Sequence, residues 1–166
     1  MYRVAIVCLS DKGYRGERED KSSSVIEEMV VEKGYKVSKK VLIPDEYEMI
    51  VEELKTICDK GEADLVLTTG GTGFSKRDVT PEATLDVVEK VVPGIPEAMR
   101  YYSLQITPKA MLTRAAAGIR RETLIINLPG SPKAVKENLE FILGPVDHGL
   151  EILLGQLQIV LESNNF

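Results

Sequence analysis

The chain has 166 residues, 43% of them hydrophobic and 28% charged, with a net charge of −5 at pH 7. This composition and length predict one globular domain spanning residues 1–166, and the acidic balance without a basic stripe argues against a nucleic-acid partner. No apolar run has membrane-spanning length and the amino end lacks a signal-peptide pattern, so a cytoplasmic protein without membrane contact is expected.

Segments of strand length alternate with segments of helix length. Arg3–Leu9 is a continuous apolar run, which is typical of a strand buried on both faces. The predicted elements in chain order are a strand at 3–9, a helix at 22–33, a strand at 35–43 nearer a sheet edge, a helix at 46–60, a strand at 65–67, helices at 81–92, 96–105 and 108–116 or 117, a strand at 123–128, helices at 132–143 and 146–154, and a loose tail at 162–166. The alternation predicts a three-layer α/β fold, with helices on both faces of a mostly parallel sheet.

A glycine-rich loop, TTGGTGFSKRDVTPEAT, follows the third predicted strand. Gly70, Gly71 and Gly73 allow backbone N–H groups to turn toward one point, as in phosphate-binding loops. The next helix is predicted to begin at Pro81 with Thr80 as its cap. The loop matches neither the P-loop nor the dinucleotide spacing, so a tight structural turn is the alternative interpretation.

Polar turns follow each of the main predicted strands. They are Ser10-Asp11, Pro44-Asp45, the glycine loop with Asp78, and Pro129-Gly130-Ser131. Because the carboxyl ends of parallel strands meet at one edge, where α/β sheets bind ligands, these turns are expected to converge. Three aspartates in one region require a cation or hydrogen-bond donors, and oxygen ligands favour Mg²⁺ over Zn²⁺. The residues alone therefore predict a Mg²⁺-assisted nucleotide or phosphate site.

Other polar residues leave alternatives open. The charged segment 12–21 is either a solvated mobile loop or a lid over a ligand. Five basic side chains could bind phosphate or form structural ion pairs: Lys76, Arg77, Arg100, Arg114 and Lys133. Buried free thiols in a reducing compartment are favoured over a disulfide for Cys8 and Cys58. His148, on the last predicted helix, is expected at the surface or in packing and receives no catalytic role.

The segment TTGGTGFSKRDVTPEAT, followed by PGIPEAMR and LPGSPKAVKENL, resembles the MogA/MoaB family of molybdopterin adenylyltransferases over about residues 3–143. The resemblance implies transfer of AMP from ATP to the terminal phosphate of molybdopterin, with Mg²⁺ present and pyrophosphate released. It also implies a homotrimer, with a hexamer as the alternative, and a molybdenum insertase that acts downstream.

The resemblance carries over to individual residues. Asp45 and Asp78 match the catalytic and metal-binding aspartates, and the expected substrate-binding residues are Ser10, Asp11, Thr69, Gly70, Gly71, Thr72, Gly73, Pro129, Gly130 and Ser131. One departure puts the carry-over of Asp20 and Ser22 in doubt, because Ser23 replaces the glycine of the usual Asp-x-Ser-Gly.

Other functions are weighed against the adenylyltransferase. A carrier that binds molybdopterin without adenylylating it is the main alternative, and the paired aspartates argue against it. The insertase reaction normally belongs to a longer chain, and a purely structural oligomer fits the four polar turns least.

Overall fold

The structure, a computed structural model, describes residues 1–156. Within this range one sheet contains the strands β1 (Arg3–Leu9), β2 (Lys36–Ile43), β3 (Leu65–Thr69), β4 (Lys90–Val91), β5 (Ala117–Arg120) and β6 (Thr123–Leu128). The helices are α1 (Asp11–Tyr14), α2 (Lys21–Glu32), α3 (Tyr47–Asp59), α4 (Thr80–Val87), α5 (Gly94–Leu104) and α6 (Pro132–Leu153), with a 3₁₀ helix at Pro108–Leu112. The predicted loose tail at 162–166 lies outside the described residues. None of the helices within 1–156 is long and apolar enough to cross a membrane.

The strand order is β2-β1-β3-β6-β5-β4. The first four strands in this order run parallel, and β5 and β4 add antiparallel pairings at one side. The chain leaves β1 toward β2 and then crosses back to β3 on the other side of β1. This reversal opens a crevice at the carboxyl ends of β1 and β3, which is where such sheets bind ligands.

Helices cover both faces of the sheet, as predicted. Along β1, Val4 and Ile6 belong to a core that also contains buried residues of α2, α5 and α6. Ala5 and Val7 belong to a second core with α3 and α4. Because successive side chains of a strand point to opposite faces, a fully apolar strand serves both cores, which explains the continuous apolar run in the sequence.

The sequence pattern missed one side of the sheet. The predicted helix at 81–92 ends at Val87, and Lys90–Val91 forms β4. The predicted helix at 108–117 is only a short 3₁₀ helix, and the chain then continues into β5. Strands β5 and β6 are joined by a two-residue turn in which Arg121 has a φ of +52°. Turns of this kind usually carry asparagine or glycine, so Arg121 gave no hairpin signal.

Helix α6 also differs from its prediction, because it continues through Gly144 and Pro145. A proline inside a helix removes one backbone hydrogen bond and is unfavourable by about 3 kcal/mol. Buried side chains lie on both sides of it, with Leu139 before and Leu150 after, and both are fully buried. Packing of this apolar face against the sheet outweighs the local preference for a break.

Candidate active site

The polar turns that follow the parallel strands meet at one edge of the sheet, as predicted. The register sets Cys8 beside Thr69, and Thr69 beside Leu128, so the turns after β1, β3 and β6 begin at the same level. The glycine loop and the last turn are in contact, because a Cβ on Gly130 would lie 3.6 Å from the Cα of Gly70.

A cavity of about 820 Å³ opens at this edge. Most of the predicted site residues line it, namely Ser10, Asp11, Asp45, Thr69, Gly70, Gly71, Asp78, Gly130 and Ser131. The remaining three, Thr72, Gly73 and Pro129, lie outside the lining. Their carbonyl oxygens accept hydrogen bonds from Arg114 and Thr69, so they help to hold the loops in place.

Asp11 and Asp45 hold the first two turns together. The backbone N–H of Asp11 donates to Oδ2 of Asp45, and the N–H of Asp45 donates to Oδ1 of Asp11, each over 3.0 Å. The Arg77 guanidinium binds both oxygens of Asp11, at 2.9 and 3.0 Å, and Glu46 at 2.7 Å. The hydrogen bonds from Arg77 lower the pKa of the Asp11 carboxyl. The charge of Asp11 is therefore paired with a protein cation.

Asp45 has a different environment. Its Oδ1 is buried and accepts no hydrogen bond from any residue within 1–156. Burial raises the pKa of the Asp45 carboxyl, and the nearby charges of Asp11 and Asp78 add to the increase. An unpartnered carboxylate oxygen in such a place is the donor that a hard cation requires.

Asp78 lies on the other side of the glycine loop. Its Oδ2 accepts a hydrogen bond from the backbone N–H of Ser75 at 3.0 Å and would lie 3.0 Å from a Cβ on Gly73. In the described part of the chain, no three His, Cys, Asp or Glu side chains are grouped closely enough to hold a metal ion. A cation bound by Asp45 and Asp78 would need further oxygens from water and substrate phosphates, which is the usual arrangement for Mg²⁺. The donor set therefore fits Mg²⁺.

The glycine loop has the backbone that its sequence predicts. Gly70 and Gly71 have φ values of +96° and +71°, and a Cβ on Gly70 would lie only 2.4 Å from the carbonyl oxygen of Leu9. The N–H groups of Gly71, Thr72 and Gly73 donate to no residue in 1–156. Unpaired N–H groups on a loop between a strand and a helix are suited to bind an anion.

Arg114 lies outside the cavity lining and stabilises the glycine loop. Its guanidinium donates to the carbonyl oxygens of Gly73 and Asp78, both at 2.8 Å, and to the carboxylate of Glu82. Its backbone N–H also donates to the carbonyl oxygen of Thr72. Arg114 and Arg77 therefore both form structural ion pairs, which is one of the two alternatives predicted for them from the sequence.

The other basic residues of that group take no part in the cavity. Arg100 donates to two backbone carbonyls, and Lys133 contacts Glu137 at 3.9 Å. Lys76 is exposed and lies outside the cavity lining.

Segment 12–21 lines the cavity, which favours the ligand-covering interpretation over a purely solvated loop. It contributes cations that the sequence interpretation did not single out, Lys12, Arg18 and Lys21. The only signal for them was the charge run itself, which equally predicts a solvated surface.

The departure from the usual Asp-x-Ser-Gly pattern does not displace Asp20 or Ser22, and both line the cavity. Asp20 is the N-cap of α2 and accepts from the N–H of Ser23 at 3.0 Å. Ser22 donates to the carbonyl oxygen of Gly130 at 2.6 Å. Ser23 lies inside the first turn of α2, where a serine takes the helical backbone without strain.

The cysteines and the histidine behave as expected. Cys8 and Cys58 are free and buried, and burial raises the pKa of the Cys8 thiol to about 12. Cys8 lines the cavity, yet it is a neutral thiol at physiological pH and is not a nucleophile. His148 is an exposed residue of α6 that lies 3.7 Å from Glu151.

The chain is similar to known proteins over most of its length. The chain matches the family model described as "Probable molybdopterin binding domain" over residues 5–148. It is 40% identical over 168 residues to a molybdopterin adenylyltransferase of Helicobacter pylori strain J99, covering 97% of this chain and 93% of the relative. It is 43% identical over 141 residues to that of Escherichia coli K12, covering 83% and 72%.

Solved structures with the same fold include two MoaB proteins. The molybdopterin biosynthesis enzyme MoaB of Thermus thermophilus superposes with a TM-score of 0.88 at 46% identity, covering 93% of this chain and 98% of that one. The tungsten cofactor synthesizing protein MoaB of Pyrococcus furiosus gives 0.83 at 35% identity, covering 92% and 97%.

Fold and cavity together define an α/β protein with a polar ligand pocket at the carboxyl edge of its sheet. The sequence and structural matches identify the family to which this α/β protein belongs. The chain belongs to the molybdopterin-binding domain family and, within it, to the molybdopterin adenylyltransferases of the MogA/MoaB type. The resemblance noted from the sequence motifs is confirmed.

Proposed function

We propose that this protein is a molybdopterin adenylyltransferase that transfers AMP from ATP to the terminal phosphate of molybdopterin, releasing pyrophosphate with the help of Mg²⁺. Membership of the family supports the reaction class. The observation that carries the Mg²⁺ site is the buried, unpartnered Oδ1 of Asp45 beside the glycine loop.

The charge of the cavity supports a cation. Its lining carries five carboxylates and four cationic side chains, which are Asp11, Glu19, Asp20, Asp45 and Asp78 against Lys12, Arg18, Lys21 and Arg77. Arg77 is already paired with Asp11 and Glu46. Two polyanionic substrates therefore meet a lining that does not neutralise them, and a divalent cation resolves this conflict.

Asp45 and Asp78 would hold the Mg²⁺ ion, which when bound would neutralise phosphate charge and favour departure of pyrophosphate. An oxygen of the molybdopterin phosphate forms a bond to the α-phosphorus of ATP. The bond from that phosphorus to the bridging oxygen breaks, and its electron pair leaves with pyrophosphate.

The protein contributes position and electrostatics rather than a nucleophile. The free N–H group of Gly71, which lines the cavity, donates to an oxygen of the transferred group. Ser131 caps α6, a helix of 22 residues. The amino end of this helix favours a negative charge and would bind the phosphate of molybdopterin.

The test is pyrophosphate release from ATP with Mg²⁺ and purified molybdopterin. We expect release to require molybdopterin and to fall roughly 100-fold or more in Asp78→Asn, because a direct ligand should matter at least as much as its supporting residues. Asp86→Asn is the matched control, since Asp86 is an exposed carboxylate of α4 outside the cavity lining. Near-normal release by Asp78→Asn would remove the assigned role. No release by a folded parent that binds molybdopterin tightly would identify a carrier instead.

We also propose a homotrimer, with a hexamer as the alternative. Exposed apolar side chains on α5, on the 3₁₀ helix and on the turn between them support an interface, namely Tyr101, Leu104, Ile106, Met111 and Leu112. Sedimentation velocity should give the mass of three 18.4 kDa chains, and a stable monomer would refute the proposal.

The adenylylated product would pass to a molybdenum insertase. A cytoplasmic location is supported by the buried free thiols, Cys8 and Cys58.

A further inference from the structure

Two buried side-chain oxygens next to the glycine loop make no hydrogen bond within residues 1–156, Oγ1 of Thr80 and Oδ1 of Asp45. Thr80 is fully buried, with an exposed fraction of 0%. Buried polar groups are nearly always hydrogen-bonded, and an unpartnered one lowers stability. A hydroxyl donor and a carboxylate acceptor left unpaired at the same place therefore indicate a role beyond packing.

Both oxygens lie against Gly71. A Cβ on this glycine would lie 2.2 Å from Oγ1 of Thr80 and 3.2 Å from Oδ1 of Asp45. The N–H of Thr80 also donates to the carbonyl oxygen of Gly71 at 3.2 Å, which fixes Thr80 beneath the loop. Both oxygens therefore border the space that a side chain at residue 71 would occupy, and the glycine leaves this space open.

The hydroxyl of Thr80 is not used for helix capping. Threonine at the start of a helix usually caps it, and the sequence predicted this role for Thr80. Helix α4 instead begins at Thr80 itself, its N-cap is Val79, and no side-chain capping bond is made. A valine of the same shape would fill the space equally well, so packing does not explain the hydroxyl.

We propose that Thr80 is a positioning residue for Asp45. Its hydroxyl donates a hydrogen bond to Oδ1 of Asp45 when the divalent cation is bound, and so fixes the direction in which the carboxylate faces the ion. Oδ2 of Asp45 is already held by the N–H of Asp11 at 3.0 Å, so a donor on Oδ1 completes the orientation of the group. A carboxylate oxygen can accept this bond and bind a cation at once. The inference rests on the cation site of the proposed function.

The experiment measures binding of Mn²⁺ alone, by electron paramagnetic resonance, together with the melting temperature. Thr80→Val removes the hydroxyl and keeps the shape, and Thr80→Ser keeps the hydroxyl. Thr84→Val is the matched control, since Thr84 is a buried threonine of the same helix whose hydroxyl accepts from Asn127 at 2.9 Å. Asp45→Asn defines the loss of the ligand itself.

We expect Thr80→Val to bind Mn²⁺ roughly 10-fold more weakly than the parent, with an unchanged or higher melting temperature. Thr80→Ser should restore most of the affinity. Thr84→Val should melt earlier and bind Mn²⁺ like the parent, because it breaks a satisfied hydrogen bond away from the cavity.

The outcomes separate the two proposals. Equal Mn²⁺ affinity of Thr80→Val and the parent, with a loss in Asp45→Asn, overturns the role of Thr80 and leaves the cation site standing. A lowered melting temperature with unchanged affinity also overturns it, since the hydroxyl is then structural. If the parent binds no Mn²⁺, or Asp45→Asn binds it equally well, the cation site fails and the role of Thr80 fails with it. Thr80→Ala, which also lacks the hydroxyl, must weaken Mn²⁺ binding as well.

Discussion

Replacing Gly70 by alanine tests how closely the glycine loop packs on the end of β1. At the φ of +96° observed for Gly70, any L-residue is strained by roughly 1–2 kcal/mol. Alanine also lowers the entropy of the unfolded chain, which recovers about 0.4–1 kcal/mol of stability. The added Cβ would also lie 2.4 Å from the carbonyl oxygen of Leu9. Because the Cβ is fixed rigidly to its own backbone and the Leu9 oxygen is a backbone atom, the end of β1 or the loop has to move, at about 1–3 kcal/mol. The net loss of unfolding free energy should be about 2–4 kcal/mol.

The assay is urea unfolding of the parent, Gly70→Ala and Gly34→Ala. Gly34 is a matched control because its φ is +95° and nothing lies within 4 Å of a Cβ placed there. It should lose only about 1 kcal/mol, since the same strain and the same entropy offset apply without a steric contact. At roughly 2–4 °C per kcal/mol for a chain of this size, Gly70→Ala should melt about 4–16 °C below the parent. Equal destabilisation of the two variants would refute the close approach to Leu9 as the reason for Gly70.

Three further predictions concern the charged and reactive groups. Because Arg77 lowers the pKa of the Asp11 carboxyl from its ordinary 3.8, their pairing stabilises the fold above that pH and is lost as the pH falls through the lowered value. Urea unfolding of the parent and of Arg77→Gln should therefore converge toward acid pH, and parallel curves would contradict the pairing. Arg114→Lys keeps the charge but loses the planar guanidinium that holds the glycine loop. We expect a lower melting temperature and roughly 10-fold weaker Mn²⁺ binding, and binding equal to that of the parent would show that the loop does not need this support. Burial raises the pKa of Cys8 to about 12 and of Cys58 to about 11, so the native protein should not react with Ellman's reagent at pH 8, and rapid reaction would show that a thiol is accessible.

The parallel half of the fold was predictable because its signals are local and strong. Arg3–Leu9 and Thr123–Leu128 match their predicted bounds, since each is an apolar run closed by a polar turn. The antiparallel side was not predictable in this way. Strand β4 has two residues and strand β5 has four. Strand β4 pairs with β5, and β5 pairs in turn with β6. Segments this short carry too few residues for a periodic pattern, so tertiary pairing decides their conformation.

The candidate site was predictable as a set of turns, because the topology alone brings the carboxyl ends of parallel strands together. The chemical state of each aspartate was not. Asp11, Asp45 and Asp78 look alike in the sequence, yet Arg77 neutralises Asp11 while Oδ1 of Asp45 has no partner within 1–156. That distinction depends on which side chains reach across from other turns, and sequence spacing carries no information about it.

The same distinction explains how the site can remain folded with so many carboxylates in one place. Arg77 and the exchanged backbone bonds stabilise Asp11 as an ion, and Asp11 in turn fixes one oxygen of Asp45. Burial then raises the pKa of Asp45, so its charged form is disfavoured in the protein alone. A carboxylate held in this way would gain more from the proposed cation than a solvated aspartate, because binding would relieve a desolvation penalty that folding has already imposed. In the proposed site, the raised pKa of Asp45 and its affinity for the ion would be two consequences of one arrangement. The residues proposed to support Asp45, Thr80 among them, should then be detected more sensitively by metal binding than by stability.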